Sequence, residues 1–286
     1  MLLSCNPHPS MEWFLKEAAD HPEQYVFVPA LWEDNRQNLP EDFYKARSSY
    51  TEDQRRRLLD GNWDVFEGQA LPEFDRNVHL VTPFEVPRGW PVWRGIDYGT
   101  NAPTVCLWLT QSPDGDYFFF REYEQRGKNA ETNARAIAAM SQGDRLIETW
   151  VDPRLAMNRD LERPLEWSAF KEFGKHLGHI MLASEGPADK GSTRANRLQA
   201  WKLGLQANPE RLHFLTHQAP APRLYIFNTC TRLIWELPRL QYRDAAQGYE
   251  DVEKTEDHAY DAGGFVLTHV MQSQSKIIEV SSYMNA

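Results

Sequence analysis

Three carboxylates stand in sequence contexts where a carboxylate is costly. Asp97 lies near the end of an apolar run in Arg94-Gly-Ile-Asp-Tyr-Gly99. Asp152 closes Ile147-Glu-Thr-Trp-Val-Asp-Pro153. Asp261 follows His258 by three residues in Asp257-His-Ala-Tyr-Asp261. A carboxylate at the end of an apolar strand is expensive to bury unless something cationic receives it. On a helix, residues i and i+3 share a face, so His258 and Asp261 would look the same way. Three or four hard ligands without a cysteine suit Mg²⁺ or Mn²⁺ better than Zn²⁺. Each group also has an ordinary role. Asp97 and Asp152 can satisfy the amides of the turns that follow them, and Asp257 and Asp261 complement a helix N-terminus. The groups are far apart in the chain. They form one site only if two strand ends and one helix start meet at a common rim.

A second constellation is basic. Lys190, Arg194, Arg197 and Trp201 recur at helical spacing. Such a stripe can track a phosphate backbone, and the same spacing describes the solvated face of an amphipathic helix. Other patterns carry less. Gly186-Pro-Ala-Asp-Lys-Gly-Ser-Thr193 lacks the order and gap of a phosphate-binding loop, and the sequence contains no Walker A motif. His176/His179 and His213/His217 have metal-like spacing but no acidic or cysteine neighbour in sequence, and read as surface histidines.

The elements that must position these groups are legible in part. Met11 to Ala19 reads as a short amphipathic helix. Thr51 and Gln54 form a capping box that opens a helical segment ended by Gly61. Residues 62–91 have loop composition. Val92–Tyr98, Thr104–Thr110 and Tyr117–Tyr123 are strands joined by the turns Gly99–Pro103 and Ser112–Asp116, an antiparallel meander. Gly95 and Gly99 leave room for a ligand or another backbone. Asn129–Met140 is helical and Leu146–Val151 is a fourth strand. Two helices are expected at about 164–177 and 193–207. Leu224–Leu237 is apolar and ambiguous. An acid-rich stretch at 244–261 precedes a helix over His258–Met271 and a polar, frayed tail. The order of elements predicts an α/β fold, a mixed sheet flanked by helices.

Composition bounds the rest. The 286 residues contain 31 Lys and Arg against 41 Asp and Glu, a net charge of −10. That balance argues against a protein that coats nucleic acid, because neutralising phosphates needs basic residues. No apolar run approaches the roughly 18 residues of a membrane span. The sparse cysteines Cys5, Cys106 and Cys230 argue against a disulfide scaffold and for a reducing compartment.

Five blocks together resemble a known family. Ser4-Cys-Asn-Pro7, Leu58-Leu-Asp-Gly-Asn-Trp-Asp64, Gly95-Ile-Asp-Tyr-Gly99, Trp150-Val-Asp-Pro153 and Asp257-His-Ala-Tyr-Asp-Ala262 are similar, in order, to segments of the large subunit of tailed-phage terminases, the DNA-packaging motors. The resemblance implies an RNase H-like nuclease over 86–272. Residues 1–60 would be the end of a P-loop ATPase domain, 61–85 a linker and 273–286 a tail. It implies a metal-dependent DNA endonuclease that uses two Mg²⁺ or Mn²⁺ ions. Asp97, Asp152 and Asp261 would be ligands, with His258 a fourth and Asp257 assisting. Lys190, Arg194 and Arg197 would contact DNA. The implied partners are double-stranded DNA, a portal protein, a small terminase subunit and an ATPase portion, in the host bacterial cytoplasm. Two features depart from the family: the missing Walker motifs, so that no ATPase activity is expected of this chain alone, and Gly263-Gly-Phe265 in place of the usual Arg-Tyr, which reads as a weakened helix. The alternative reading is a catalytically silent assembly module or prophage remnant docking on a portal or a separate ATPase chain. A junction resolvase is a third, against which the blocks within residues 1–64 stand.

Overall fold

The computed structural model describes residues 12–40, 55, 59–61, 69–156, 168–183, 193–242, 252–253 and 256–284. The Ser4–Pro7 block, the capping box at Thr51 and most of the Leu58–Asp64 block lie outside these. Chain contacts divide the protein into two compact units, 1–72 and 73–286. In the first, α1 (Glu12–Asp20) is the expected N-terminal helix, and a 3₁₀ segment spans Trp32–Asn38.

The second unit is built on a seven-stranded mixed sheet. Its described elements are α2 (Arg76–His79), β1 (Leu80–Val81), β2 (Pro91–Asp97), β3 (Thr104–Gln111), β4 (Tyr117–Gln125), α3 (Ala130–Met140), β5 (Arg145–Val151), α4 (Ala169–Leu177), β6 (Met181–Leu182), α5 (Thr193–Leu205), β7 (Leu224–Phe227), α6 (Thr231–Glu236) and α7 (His258–Met284). The strand order is β1-β7-β4-β3-β2-β5-β6. The meander β2-β3-β4 is antiparallel, as its short turns require. β5 runs parallel to β2, and β7 parallel to β4. A parallel neighbour needs a crossover, and α3 provides it between β4 and β5.

β3 is buried along nearly its whole length, because helices cover both faces of the sheet. One face carries α3. There Asn133 Nδ2 donates to Thr104 Oγ1 at 3.0 Å, and Arg94 Nη1 donates to Ser141 Oγ at 2.9 Å, just beyond the end of α3. Arg94 is almost fully buried and is received by hydroxyls, with Nε and Nη2 both on Thr149 Oγ1. The other face carries α7. Strand alternation puts Gly95 and Asp97 on that side. A Cβ at Gly95 would stand 1.8 Å from the carbonyl oxygen of Ala262, so the room left by this glycine is filled by the backbone of α7.

Three expectations change. Within 62–91, α2 and β1 form, and Phe84 enters an aromatic cluster with Phe118, Phe214 and Phe227. Elements of two and four residues carry no periodicity that loop composition would reveal. Leu224–Leu237 is two elements, strand β7 and helix α6. The last helix does not stop at Met271 but runs on to Met284, and no Gly or Pro follows Gly264 to end it. Cys106 and Cys230 are buried free thiols. No described helix is long and apolar enough to cross a membrane.

Gly95→Ala should lower the unfolding free energy by at least the 1–3 kcal/mol typical of overpacking, because the obstacle is a backbone carbonyl that no rotamer change can move. Urea unfolding monitored by tryptophan fluorescence measures it.

Candidate active site

The sheet brings the three predicted carboxylates to one rim. Ile96 pairs with Val151 across the parallel β2/β5 ladder, so the next residues, Asp97 and Asp152, leave adjacent strands side by side. α7 packs over the same strand ends, held there by the contact at Gly95. Its first turn therefore delivers His258 and Asp261 to Asp97. His258 Nδ1 lies 2.8 Å from Asp97 Oδ2. All three carboxylates are buried, and His258 and Asp257 are half-buried.

Each carboxylate has a nitrogen partner, His258 for Asp97 and an arginine for each of the other two. Asp152 Oδ1 accepts from the backbone N–H of Arg154 at 2.7 Å, the turn role expected of it, and its two oxygens also receive the Arg154 guanidinium. Burial pushes the Asp152 carboxyl up, but the hydrogen bonds and charge of Arg154 outweigh burial and hold it below the usual range. Asp261 Oδ1 accepts from Arg197 Nη1. Burial there dominates, with repulsion from Asp257 and Asp97, and pushes the carboxyl up to about 6 despite Arg197. His258 is raised by its hydrogen bond to Asp97, against the opposing effect of burial. Asp152 departs from the rise that repulsion among acids predicts because the hydrogen bonds and charge of Arg154 outweigh its burial, whereas at Asp261 burial outweighs Arg197.

The basic stripe differs from a solvated face. Trp201 is fully buried against Phe119 and Tyr260, and donates from Nε1 to the Tyr260 carbonyl at 3.1 Å. Arg197 lies with its guanidinium 4.4 Å from the centre of the Phe265 ring. The two glycines of α7 explain this. A Cβ at Gly263 would stand 2.6 Å from the Trp201 ring, and one at Gly264 would stand 2.1 Å from Cγ of Arg197. Gly263-Gly264 is thus a cradle for two α5 side chains rather than a loss of helix. Lys190 lies outside the described residues. Arg194 is in α5, and its side chain is outside them too.

Sequence reasoning missed Arg154 and the meaning of the glycine pair. An Arg two residues after a strand-end Asp, and small residues one turn beyond a site residue, were the available signals. Of the histidine pairs, His179 and His217 are exposed, as read, while His176 and His213 are half-buried and partnered. Packing of α3 on α4 sets one ligand atom each from Glu131, Glu172 and His176 within 4.8 Å of one another. Those carboxylates already have cations, Lys175 Nζ on Glu172 at 2.8 Å and Arg135 on Glu131 at 2.8 Å. His213 has Nε2 3.1 Å from the Val78 carbonyl, and Nδ1 accepts from the amides of Leu215 and Thr216.

No family model matches the chain. Over 142 residues it is 25% identical to the terminase large subunit of Escherichia phage T5, a match covering 47% of this chain and 32% of that protein. The large terminase of a thermophilic bacteriophage aligns with a TM-score of 0.54 at 18% identity, covering 93% of this chain and 62% of that one. The P22 large terminase nuclease domain aligns with a TM-score of 0.52 at 15% identity, covering 72% of this chain and 93% of that domain. The chain matches the large terminases. Its sheet and helices have the RNase H-like fold of their nuclease domains. It spans less than two thirds of the length of either whole large terminase.

The raised Asp261 carboxyl has a stability consequence. A folded-state value of about 6 against 3.8 for the free group means that the fold favours the neutral acid. Its contribution to stability is complete below pH 3.8 and is lost as pH rises toward 6. Glu236, pushed up to about 7 by burial, acts in the same direction over a higher range. The difference in unfolding free energy between wild type and Asp261→Asn should therefore change between about pH 4 and 6 and level off above, measured by urea unfolding at several pH values.

Proposed function

We propose that this chain is the DNA-cutting portion of a phage packaging terminase, a metal-dependent endodeoxyribonuclease acting on double-stranded DNA. The observation that carries the reading is the convergence of Asp97, Asp152 and Asp261, with His258, from two strand ends and a helix start. The donor set fits divalent metal. It consists of hard oxygens and one imidazole, and it is acidic enough that two guanidiniums and a histidine are drawn onto it. Asp97, Asp152, Asp261 and His258 would hold Mg²⁺ or Mn²⁺, with Asp257 beside them. Two such ions would supply charge neutralisation at the scissile phosphate and a more acidic water.

The chain's own residues do the rest. Asp97 is the central ligand, flanked by the other two acids, and its bond to His258 fixes the imidazole orientation. Arg154 and Arg197 occupy carboxylate oxygens that a metal would compete for. Once released, their guanidiniums stand within reach of a phosphate. Arg197, with Lys190 and Arg194 on the same stretch, would meet the DNA backbone.

The residues before the sheet are read as the end of an ATPase domain over 1–60 and a linker over 61–85, with the nuclease over 86–272 and a tail over 273–286. The same thermophilic-phage large terminase has been captured in complex with ADP and with ATP-γ-S. The sequence contains no Walker A, so the nucleotide-driven part of packaging is assigned to an ATPase portion beyond these residues. A portal protein and a small terminase subunit would be the other partners, in the bacterial cytoplasm. The two arginines clamped on Asp152 and Asp261 also favour a second reading, a catalytically silent module that docks on those partners.

One experiment separates the two. With Mn²⁺, the wild type should nick supercoiled plasmid. Asp97→Ala should lose more than the 10–100-fold that removal of an outer partner of a metal ligand costs, so above about 100-fold. Millimolar Mn²⁺ should also raise the melting temperature of the wild type. Neither nicking nor thermal stabilisation, in a folded wild type, would leave the silent module as the reading.

A further inference from the structure

One buried carboxyl group has no part in the function proposed above. Glu236, the last residue of α6, is fully buried, and its carboxylate is directed at the start of α7. Oε2 accepts from the backbone N–H of Ala259 at 2.7 Å and of Tyr260 at 2.9 Å. Oε1 accepts from Arg232 Nε at 2.6 Å. The first-turn amides of a helix have no partner within the helix. Two of them are met here by a neighbouring helix.

The helix α6 is anchored in the same manner. Glu122 of β4 accepts from the backbone N–H of Arg232 through Oε1 and of Leu233 through Oε2, both at 2.8 Å. Hydrogen bonds therefore run from the sheet to α6 and from α6 to α7. Each link is one carboxylate on two successive amides. The second link ends on Ala259 and Tyr260, the two residues that separate His258 from Asp261.

We propose that Glu236 is a positioning residue for the nuclease site: it fixes the first turn of α7 and so sets where His258 and Asp261 stand against Asp97. The inference rests on the nuclease reading. The contact of Ala262 with Gly95 holds α7 against the sheet one residue beyond Asp261, and the amides ahead of it are held by Glu236. One carboxyl oxygen accepting from two successive amides restrains that turn. Glu236 touches neither Asp97 nor Asp261 and has no contact with substrate in this role.

The test compares wild type, Glu236→Gln and Glu236→Asp. The amide of Gln puts a donor where an acceptor stood, and Asp withdraws the carboxylate by one methylene. Mn²⁺ affinity is read from the electron paramagnetic resonance signal of the free ion, and plasmid nicking gives kcat and KM. Both variants should bind Mn²⁺ about 10–100-fold more weakly and cut correspondingly more slowly at limiting ion. KM for DNA should stay unchanged, and excess Mn²⁺ should restore most of the rate. A residue that merely stabilised the fold would lower the active fraction, leave Mn²⁺ affinity of the folded protein as in wild type, and gain nothing from excess ion. That result overturns the proposal. If Glu236→Gln does not fold, Glu236→Asp decides in the same way. A cutting wild type with Mn²⁺ affinity and kcat unaltered in the variants overturns the positioning role and leaves the nuclease standing. A wild type that neither binds Mn²⁺ nor cuts overturns both.

Discussion

The close approach of α7 to β2 is the constraint on which the rest of the second unit depends. The carbonyl of Ala262 lies where the first side-chain atom of any residue but glycine would stand at position 95. Two apolar surfaces meet without a side chain between them, and the helix lies low on the sheet. Asp97 is two residues beyond Gly95, and Asp261 one residue before Ala262. The same contact that buries α7 therefore presses two carboxylates into one small region. The acidic rim follows from backbone packing, and the local chemistry must accommodate it.

That accommodation is electrostatic. Buried carboxylates of like charge cannot all stay ionised at low cost. The protein meets the problem with Arg154 from the turn after β5, Arg197 from α5 and His258 from α7 itself. The guanidinium that reaches Asp261 does so because Gly264 leaves a path for its stem, and Phe265 supplies an aromatic face beneath it. Removing a buried ion's partner is more damaging than replacing both, which makes Asp261, Arg197 and Gly264 a mutually dependent set.

Much of this was legible in the residues. The meander, the strand-end positions of Asp97 and Asp152, and a helix opening at His258 follow from alternation, turn chemistry and helical spacing. Close backbone approach was readable at Gly95, though not that a helix would fill the space. Three things were not legible. The stripe of Arg197 and Trp201 has the spacing of an exposed face, and nothing local distinguishes an arginine in water from one laid over Phe265. The pair Gly263-Gly264 looks like lost helix propensity until the neighbouring helix is in place. Glu172 stands one helical turn from His176 in the sequence, but the arrival of Glu131 beside them depends on α3 lying against α4. In each case the missing information was which helix lies across which, a property of tertiary packing that propensity does not encode.

The ends of the sheet have a consequence for solubility. Five of its seven strands sit between neighbours on both sides. The two outermost, β1 and β6, contribute only two residues each to the ladder. At the outermost strands themselves an added strand would find only two residues to pair with, while residues 145–149 of β5 and 120–125 of β4 run beyond the short ladders to β6 and β7. Short borders of this kind limit edge-to-edge growth into aggregates. Where β5 and β4 run past those ladders they carry Arg145 and Glu148, and Arg121, Glu122 and Glu124, charges that oppose the addition of a further strand.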